Sequence, residues 1–490
     1  MWQKYPLVRL AVPFLLGMSG ASALMGTLDW RLDMMFVVMA CLLMVLVVCH
    51  NVFAHAPLFR HIFTAAAFLL IFLFGATLYI IRYRNVATAV DVNQTTFCGV
   101  VATQPWQTSR SVALDMTTDD GATLRIYLQP SDTHSPQALR RGDTLHIQPL
   151  HLNLTCPLLQ TDTSFYATYH RQLFYRGTSA TAYVLAGHWQ SHAPARRDTT
   201  WNERLHAYYL QSSLDSTTLS MVEALTLGRR EGLSRPLRTH YAAAGVSHVL
   251  ALSGMHLGLM IGLLDFVLFR FLLYEQRRWA MLSVIPVLWI FAFVAGMPPS
   301  LVRATVMATF FQLGFALGRP KMLPNLLALA AIVMLCWNPL MLNHVGFQLS
   351  FLSMVAIAVV APSRHWLTAT LTVTLACTLI TAPLVAYHFG QLPLYGWVTN
   401  LIVPPLVMLL MYLAVAWLLL FFWPAAQAAL GQGLDALVRV QNTVVETIAE
   451  WPASSIEFHP SAWVTVLLYV VLLAVFWIIF PTLGKKHTCV

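Results

Sequence analysis

Long apolar runs dominate the chain, and they break for only one extended stretch of a different texture. Runs near residues 7–28, 34–49 and 62–81 are each long enough, at about 1.5 Å per residue, to cross a hydrocarbon core of about 30 Å. From about 91 to 192 the pattern changes to apolar and polar residues in alternation, with Thr, Asp, Gln and Gly rising. TFCGVVATQ, SVALDMTT, ATLRIYLQ and DTLHIQPLHLNL read as strands. Asp119, Asp120 and Gly121 supply a hairpin turn, and Arg141, Gly142 and Asp143 another reversal. Residues 201–247 have a helical apolar face but carry too much charge to cross a membrane, so they are expected on its surface. Eight further spans follow near 247–272, 280–296, 301–318, 323–337, 345–361, 366–387, 398–423 and 462–480. Pro404 and Pro405 are expected to break the seventh of these, and 424–461 looks amphipathic.

The expectation is a polytopic α-helical membrane protein of about 11 transmembrane helices with a small all-β domain inserted after the third. Its parts are 1–84 (three spans), 85–195 (β domain), 196–245 (interfacial helices), 246–423 (a helical core), 424–461 (an amphipathic segment) and 462–490 (a last span and tail). Lys4, Arg9 and Arg60, then Arg270, Arg277 and Arg278, then Arg319 and Lys321, then Arg364, fall on alternate loops and favour a cytoplasmic N-terminus. That arrangement makes the β domain periplasmic. Eleven spans carry the C-terminus outside the cytoplasm, whereas Lys485 and Lys486 argue the reverse.

Composition agrees with the pattern. Of 490 residues 58% are hydrophobic and 10% charged, and the mean hydropathy is +0.65, values that no soluble fold requires. The formal net charge of +9 suits anionic headgroups and a polyanionic cargo alike. The seven cysteines form no CxxC pair, which argues against a zinc or redox site. Cys98 and Cys156 share the β segment, and in an oxidising compartment they could form a disulfide if geometry allowed.

The chemistry gathers around GVSHVLALSGMHLGLMIG, residues 245–262. His248, Ser253 and His256 stand in a run apolar enough for the bilayer, where unpartnered polar groups cost several kcal/mol, on the order of the penalty for any such group in hydrocarbon. If the run is helical, Ser253 and His256 share a face. Gly245, Gly254, Gly258 and Gly262 recur mostly at four-residue intervals, a small-xxx-small row suited to the close approach of another helix. Arg303 lies inside an apolar segment just past Pro298 and Pro299, and Gln312, Gln348, Ser350 and Asn400 add polar groups to other spans. Arg229, Arg230, Arg235 and Arg238 cluster before the glycine-rich helix and suit phosphates or lipid headgroups equally. Ser253 with His256 lacks a GxSxG elbow and an acid partner. No HExxH or Walker A motif occurs, so no enzyme, metal site, cofactor or built-in motor is expected.

ALTLGRREGLSRPLRTHYAAAGVSHVLALSGMHLGL closely resembles the competence domain of the ComEC family, bacterial inner-membrane channels for imported single-stranded DNA. GMPPSLVRATVMATFFQLGFALGR, GFQLSFLSMVAI and the run from Thr381 through Pro405 resemble three further family blocks in the same order. FYATYHRQLFYRGTSATAYV resembles the end of the family's OB-fold domain, a fold that often binds single strands. The resemblance implies a multi-pass inner-membrane channel, not an enzyme, with single-stranded DNA and membrane lipids as partners. His248, Ser253, His256, Arg303, Gln312, Gln348, Ser350 and Asn400 are then candidates to line the path. Arg229, Arg230, Arg235 and Arg238, with Arg125, Arg140 and Arg141 of the β domain, are candidates to receive the strand. Many family members also carry a metallo-β-lactamase-like domain with an HxDxDH-type motif. That motif is absent from this sequence, so either a separate protein supplies the nuclease, or this member does not need one, or it serves something other than transformation; a separate DNA receptor and a cytoplasmic motor are the other expected partners. The alternative is a transporter of small anionic solutes or lipids on the same fold. Oligomeric state is not legible.

Overall fold

The computed structural model describes residues 5–26, 31–52, 57–91, 94–108, 110–130, 136, 139–159, 165–193, 200–271, 274–318, 323–360 and 366–484. Lys4, Arg319, Lys321, Arg364, Lys485 and Lys486, which enter the charge-based topology, lie outside them. The chain divides into two compact units, 1–198 with 324–344, and 199–323 with 345–490.

The first unit opens with three helices, α1 (Pro6–Leu24), α2 (Leu32–Val52) and α3 (Pro57–Ala87). α1 and α3 make a very close contact. A Cβ added to Gly17 would lie 1.9 Å from the Phe72 carbonyl oxygen, and one added to Gly75 would lie 2.5 Å from that of Phe14. Only glycine allows backbones this near. The β region follows as β1 (Phe97–Val101), β2 (Trp106–Gln107), β3 (Val112–Thr118), β4 (Thr123–Leu128), β5 (Thr144–Ile147), β6 (His151–Leu154), α4 (Phe165–Arg176), β7 (Thr178–Val184) and β8 (Trp189–His192). The main sheet runs β6-β7-β4-β3-β1-β5-β8, with β2 on β3. β4 and β7 are parallel; the other pairs are antiparallel. Alternation explains the core, since Leu114, Met116, Leu124, Ile126 and Leu128 project inward and are buried. The β3–β4 hairpin turns at Gly121, whose φ is 81°, as the Asp-Asp-Gly signal predicts. The segment DTLHIQPLHLNL divides: β5 pairs with β1 and β8, whereas β6 pairs with β7.

The expected 246–423 core does not stay whole. Residues 324–344, including most of α11 (Leu323–Trp337), group with the N-terminal helices. Polar bonds tie them there: the Leu7 N–H donates to Asn325 Oδ1 (3.2 Å), and the Asn343 amide donates to Ser22 (2.5 Å) and Tyr79 (2.8 Å).

The second unit holds α5 (Trp201–Leu210), α6 (Ser216–Thr226), α7 (Arg235–Ala243), α8 (Gly254–Phe271), α9 (Tyr274–Val294) and α10 (Pro299–Ala316). After α11 come α12 (Val345–Val359), α13 (Trp366–Phe389), β9 (Gln391–Pro393), α14 (Gly396–Leu419), α15 (Pro424–Ala449), β10 (Ser455–Glu457) and α16 (Ala462–Gly484). The apolar faces of α5–α7 and α15 close on one another and on α14. Tyr209, Val222, Leu225, Leu237 and Tyr241 share one buried core with Val407, Leu410, Leu434 and Val438. These helices therefore spend their apolar faces on protein, where the sequence pattern alone suggested a membrane surface. α14 runs straight through Pro404 and Pro405, so the expected break is absent. α8, α10, α12, α13 and α14 touch in a closed circuit, with α9 packed on α8 and α10.

Pro6–Leu24, His61–Ala87, Thr368–Phe389 and Gly396–Leu419 are long and apolar enough to cross a membrane among the described residues, and shorter apolar helices accompany them.

Candidate conduction site

The turn from Gly245 to Ser253 delivers the chain into α8. Gly245 has φ 77°, and a Cβ there would come within 3.0 Å of Pro393 and Gly396, so glycine is required on two counts. The run becomes helical only from Gly254, yet Ser253 and His256 still meet, across the start of α8. The Ser253 N–H donates to His256 Nδ1 (3.2 Å), and the hydroxyl lies 3.1 Å from the same nitrogen. Accepting at Nδ1 puts the imidazole proton on Nε2, an atom buried without a protein partner. His256 is fully buried, whereas the neighbouring His248 is exposed in the turn.

Arg303 is brought to Ser350. Its Nε and Nη2 donate to the Ser350 hydroxyl at 3.4 and 3.3 Å, joining α10 to α12. Gln312 is buried nine residues on, about 180° round α10, and faces away from that pair. Gln348 lies two residues before Ser350, about 160° round α12, and Asn400 is half-buried on α14. Two pairs are thus formed among these residues, Ser253 with His256 and Arg303 with Ser350.

Of the basic residues, Arg230, Arg235 and Arg238 are exposed, and Arg229 reaches the Asn202 side chain (3.4 Å). Beside them Nδ1 of the half-buried His206 lies 2.5 Å from a carboxylate oxygen of the buried Glu223, a pair that the sequence pattern did not single out. In the β domain Arg140 and Arg141 are exposed, but Arg125 is not available to a strand. Arg125 stands directly opposite Asp115 in the β3–β4 register and donates to both its oxygens, at 2.7 and 2.9 Å. Trp106 covers the guanidinium at 5.1 Å and Tyr169 accepts a further bond. Burial pulls its pKa down, but Asp115 and Tyr169 outweigh that and hold it above the usual arginine value. Cys98 and Cys156 are free thiols. Cys98 lies on β1 against His146 (3.5 Å), while Cys156 is buried against Tyr83 (3.3 Å). Cys156 follows β6, four places from β1 in the sheet, too far to bridge.

One residue of the helical core was missed. Asp265 interrupts the apolar run IGLLDFVLF on α8, and a carboxylate in such a run is the signal that could have found it.

The described architecture is that of a multi-pass helical membrane protein with a β-sheet region at residues 97–192. The chain belongs to the competence protein family, which matches residues 225–482. ComE operon protein 3 of Bacillus subtilis (strain 168) is 29% identical over 272 residues, covering 54% of this chain and 34% of that protein. The matched region thus spans about a third of the relative's length. No solved structure matches the chain.

Proposed function

We propose that this protein translocates single-stranded DNA across the inner membrane during natural transformation. The reading is supported by one arrangement above all: Arg303, 5% exposed and the single charged residue of α10, stands in a circuit of helices within the region that matches the competence family. A guanidinium in hydrocarbon is costly, and a cargo of phosphates is a reason to keep one. Arg230, Arg235 and Arg238 would gather the strand, with Arg140 and Arg141 on an OB-like domain on the periplasmic side; Arg303, Ser350 and the His248 turn would line its way. A strand on the order of 10 Å across passes only if each site holds it weakly. The protein acts as a permease, working with a DNA receptor and a cytoplasmic motor.

The test is uptake of labelled DNA by competent cells with and without the gene, scored separately in periplasm and cytoplasm. Periplasmic label that stalls in the deletion is the expected result. Equal cytoplasmic label in both strains rejects the reading and shifts the weight to transport of small anions or lipids.

A further inference from the structure

α8 has a face that the DNA reading leaves unused. Taking Gly254 as zero and turning about 100° per residue, its neighbours can be placed around it. α10 lies near zero, because a Cβ on Gly254 would sit 3.6 Å from Ala304. α14 lies about 140° round, where the Leu259 carbonyl accepts from the Tyr412 hydroxyl at 3.0 Å. Leu257, Met260, Ile261 and Leu264 fill the arc on the far side of α10 and pack with Val284, Leu288 and Ala292 of α9. Between α10 and α14, away from α9, lie Gly258, Gly262 and Asp265, at about 40°, 80° and 20°, with Met255 and the exposed Phe266 at about 100° and 120°, nearer α14.

That arc faces the inside of the helix circuit, since α12 and α13 close it from α10 round to α14. It is open. Gly258 and Gly262 are exposed, and a Cβ on either would meet nothing within 4 Å. The expected helix-packing role of this row therefore holds at Gly254, against Ala304 of α10, and not at Gly258 or Gly262. Asp265 shares the face, and its Oδ1 is buried without a protein hydrogen-bond partner. It lies eleven residues beyond Gly254, about 16 Å along the axis from the level of Ala304 and its neighbour Arg303.

We propose that Asp265 is a specificity-determining residue of the conduction path, its carboxylate standing on the inner wall beyond Arg303 and repelling anionic cargo there. This deepens the channel reading and rests on it. A cation alone would trap a polyanion; a carboxylate about 16 Å further along opposes a second stable hold, which keeps the cargo moving.

The test uses full-length protein in nanodiscs, its seven native cysteines replaced, with Gly258→Cys or Gly262→Cys. Each is treated with a cationic or an anionic methanethiosulfonate. The thiolate attacks the reagent's sulfenyl sulfur, a mixed disulfide forms and methanesulfinate leaves, so no oxidant is needed. Both positions should react. At position 262 the cationic reagent should be favoured about tenfold, the effect of a unit charge about 6 Å away in a water-like medium. Asp265→Asn should abolish the preference and Asp265→Glu should keep it, with the Asp265→Glu protein eluting as the parent does. Ile290→Cys, on the exposed side of α9, should stay inert. Positions 258 and 262 as inert as 290 would mean a lipid-facing surface and overturn the proposal, as would a preference that survives Asp265→Asn. No DNA is present in these reactions, so their outcome is separate from that of the uptake experiment.

Discussion

Arg125→Ala separates two roles that an arginine on a nucleic-acid-binding sheet can have. In the structure its guanidinium makes two bonds to Asp115, at 2.7 and 2.9 Å, with side-chain exposures of 10% and 16%. Truncation leaves that carboxylate buried and unpaired, which costs about 3–5 kcal/mol. Loss of the Trp106 contact adds about 0.5–2 kcal/mol. For a unit of about 100 residues the melting temperature of the sheet should fall on the order of 15 °C or more. Pulse proteolysis of the full-length protein, following cleavage inside residues 97–192, measures this directly. Arg125→Met with Asp115→Leu should recover most of the loss, because both partners leave together. That double variant should also keep the salt dependence of single-strand binding, whereas Arg140→Ala and Arg141→Ala should each lower the slope of log K against log salt by about 0.7. An Arg125→Ala protein as stable as the parent, with a reduced slope, would show that the side chain serves the strand and that the ion-pair argument is wrong.

Gly17→Ala should destabilise the α1–α3 pair by about 1–3 kcal/mol, since its Cβ lands on the Phe72 carbonyl, while Gly258→Ala should not; thermal unfolding in detergent compares them. Arg303→Ala should stop cytoplasmic uptake with membrane insertion intact, and Ser350→Asp should do the same by holding the guanidinium with a carboxylate; a loss of insertion instead would make Arg303 structural. His170, buried on α4, has its pKa pushed below the usual histidine value by burial. The unfolded chain then takes up the proton first, so the β domain should lose stability as pH falls through about 6.5, and His170→Phe should flatten that dependence in pulse proteolysis.

Apolar periodicity made the helices legible, to the residue in α11, because an uninterrupted run that must be buried has few other solutions. Partners were harder to read. The glycine row of α8 looked like a packing surface, yet among the described residues the tightest helix–helix approach is made by Gly17 and Gly75. Spacing defines a small surface without saying whether a helix or a cavity lies against it. Alternation located β3 and β4, but the register that sets Arg125 opposite Asp115 depends on both strands together. Pro404 and Pro405 marked a break because each removes a donor, releasing the carbonyls of Asn400 and Leu401. α14 nonetheless continues, with Val403, Val407 and Leu410 fully buried on either side of the prolines. Packing of that face outweighs two missing bonds.

The two arginines differ in what a phosphate would have to displace to reach them. Arg125 is held by a carboxylate whose geometry matches its own, and releasing it strands a charge. The Ser350 hydroxyl meets Arg303 at 3.3–3.4 Å, long for a hydrogen bond, and a neutral acceptor can yield to a phosphate without leaving an unpaired ion behind. A phosphate arriving at Arg125 would have to displace Asp115, whereas at the Arg303–Ser350 contact it would displace a hydroxyl. In the second case the gain from the stronger ionic contact is offset mainly by the cost of drying the phosphate. Binding that is nearly balanced in this way can be undone at the next step, which a path for a long polyanion requires at every site along it.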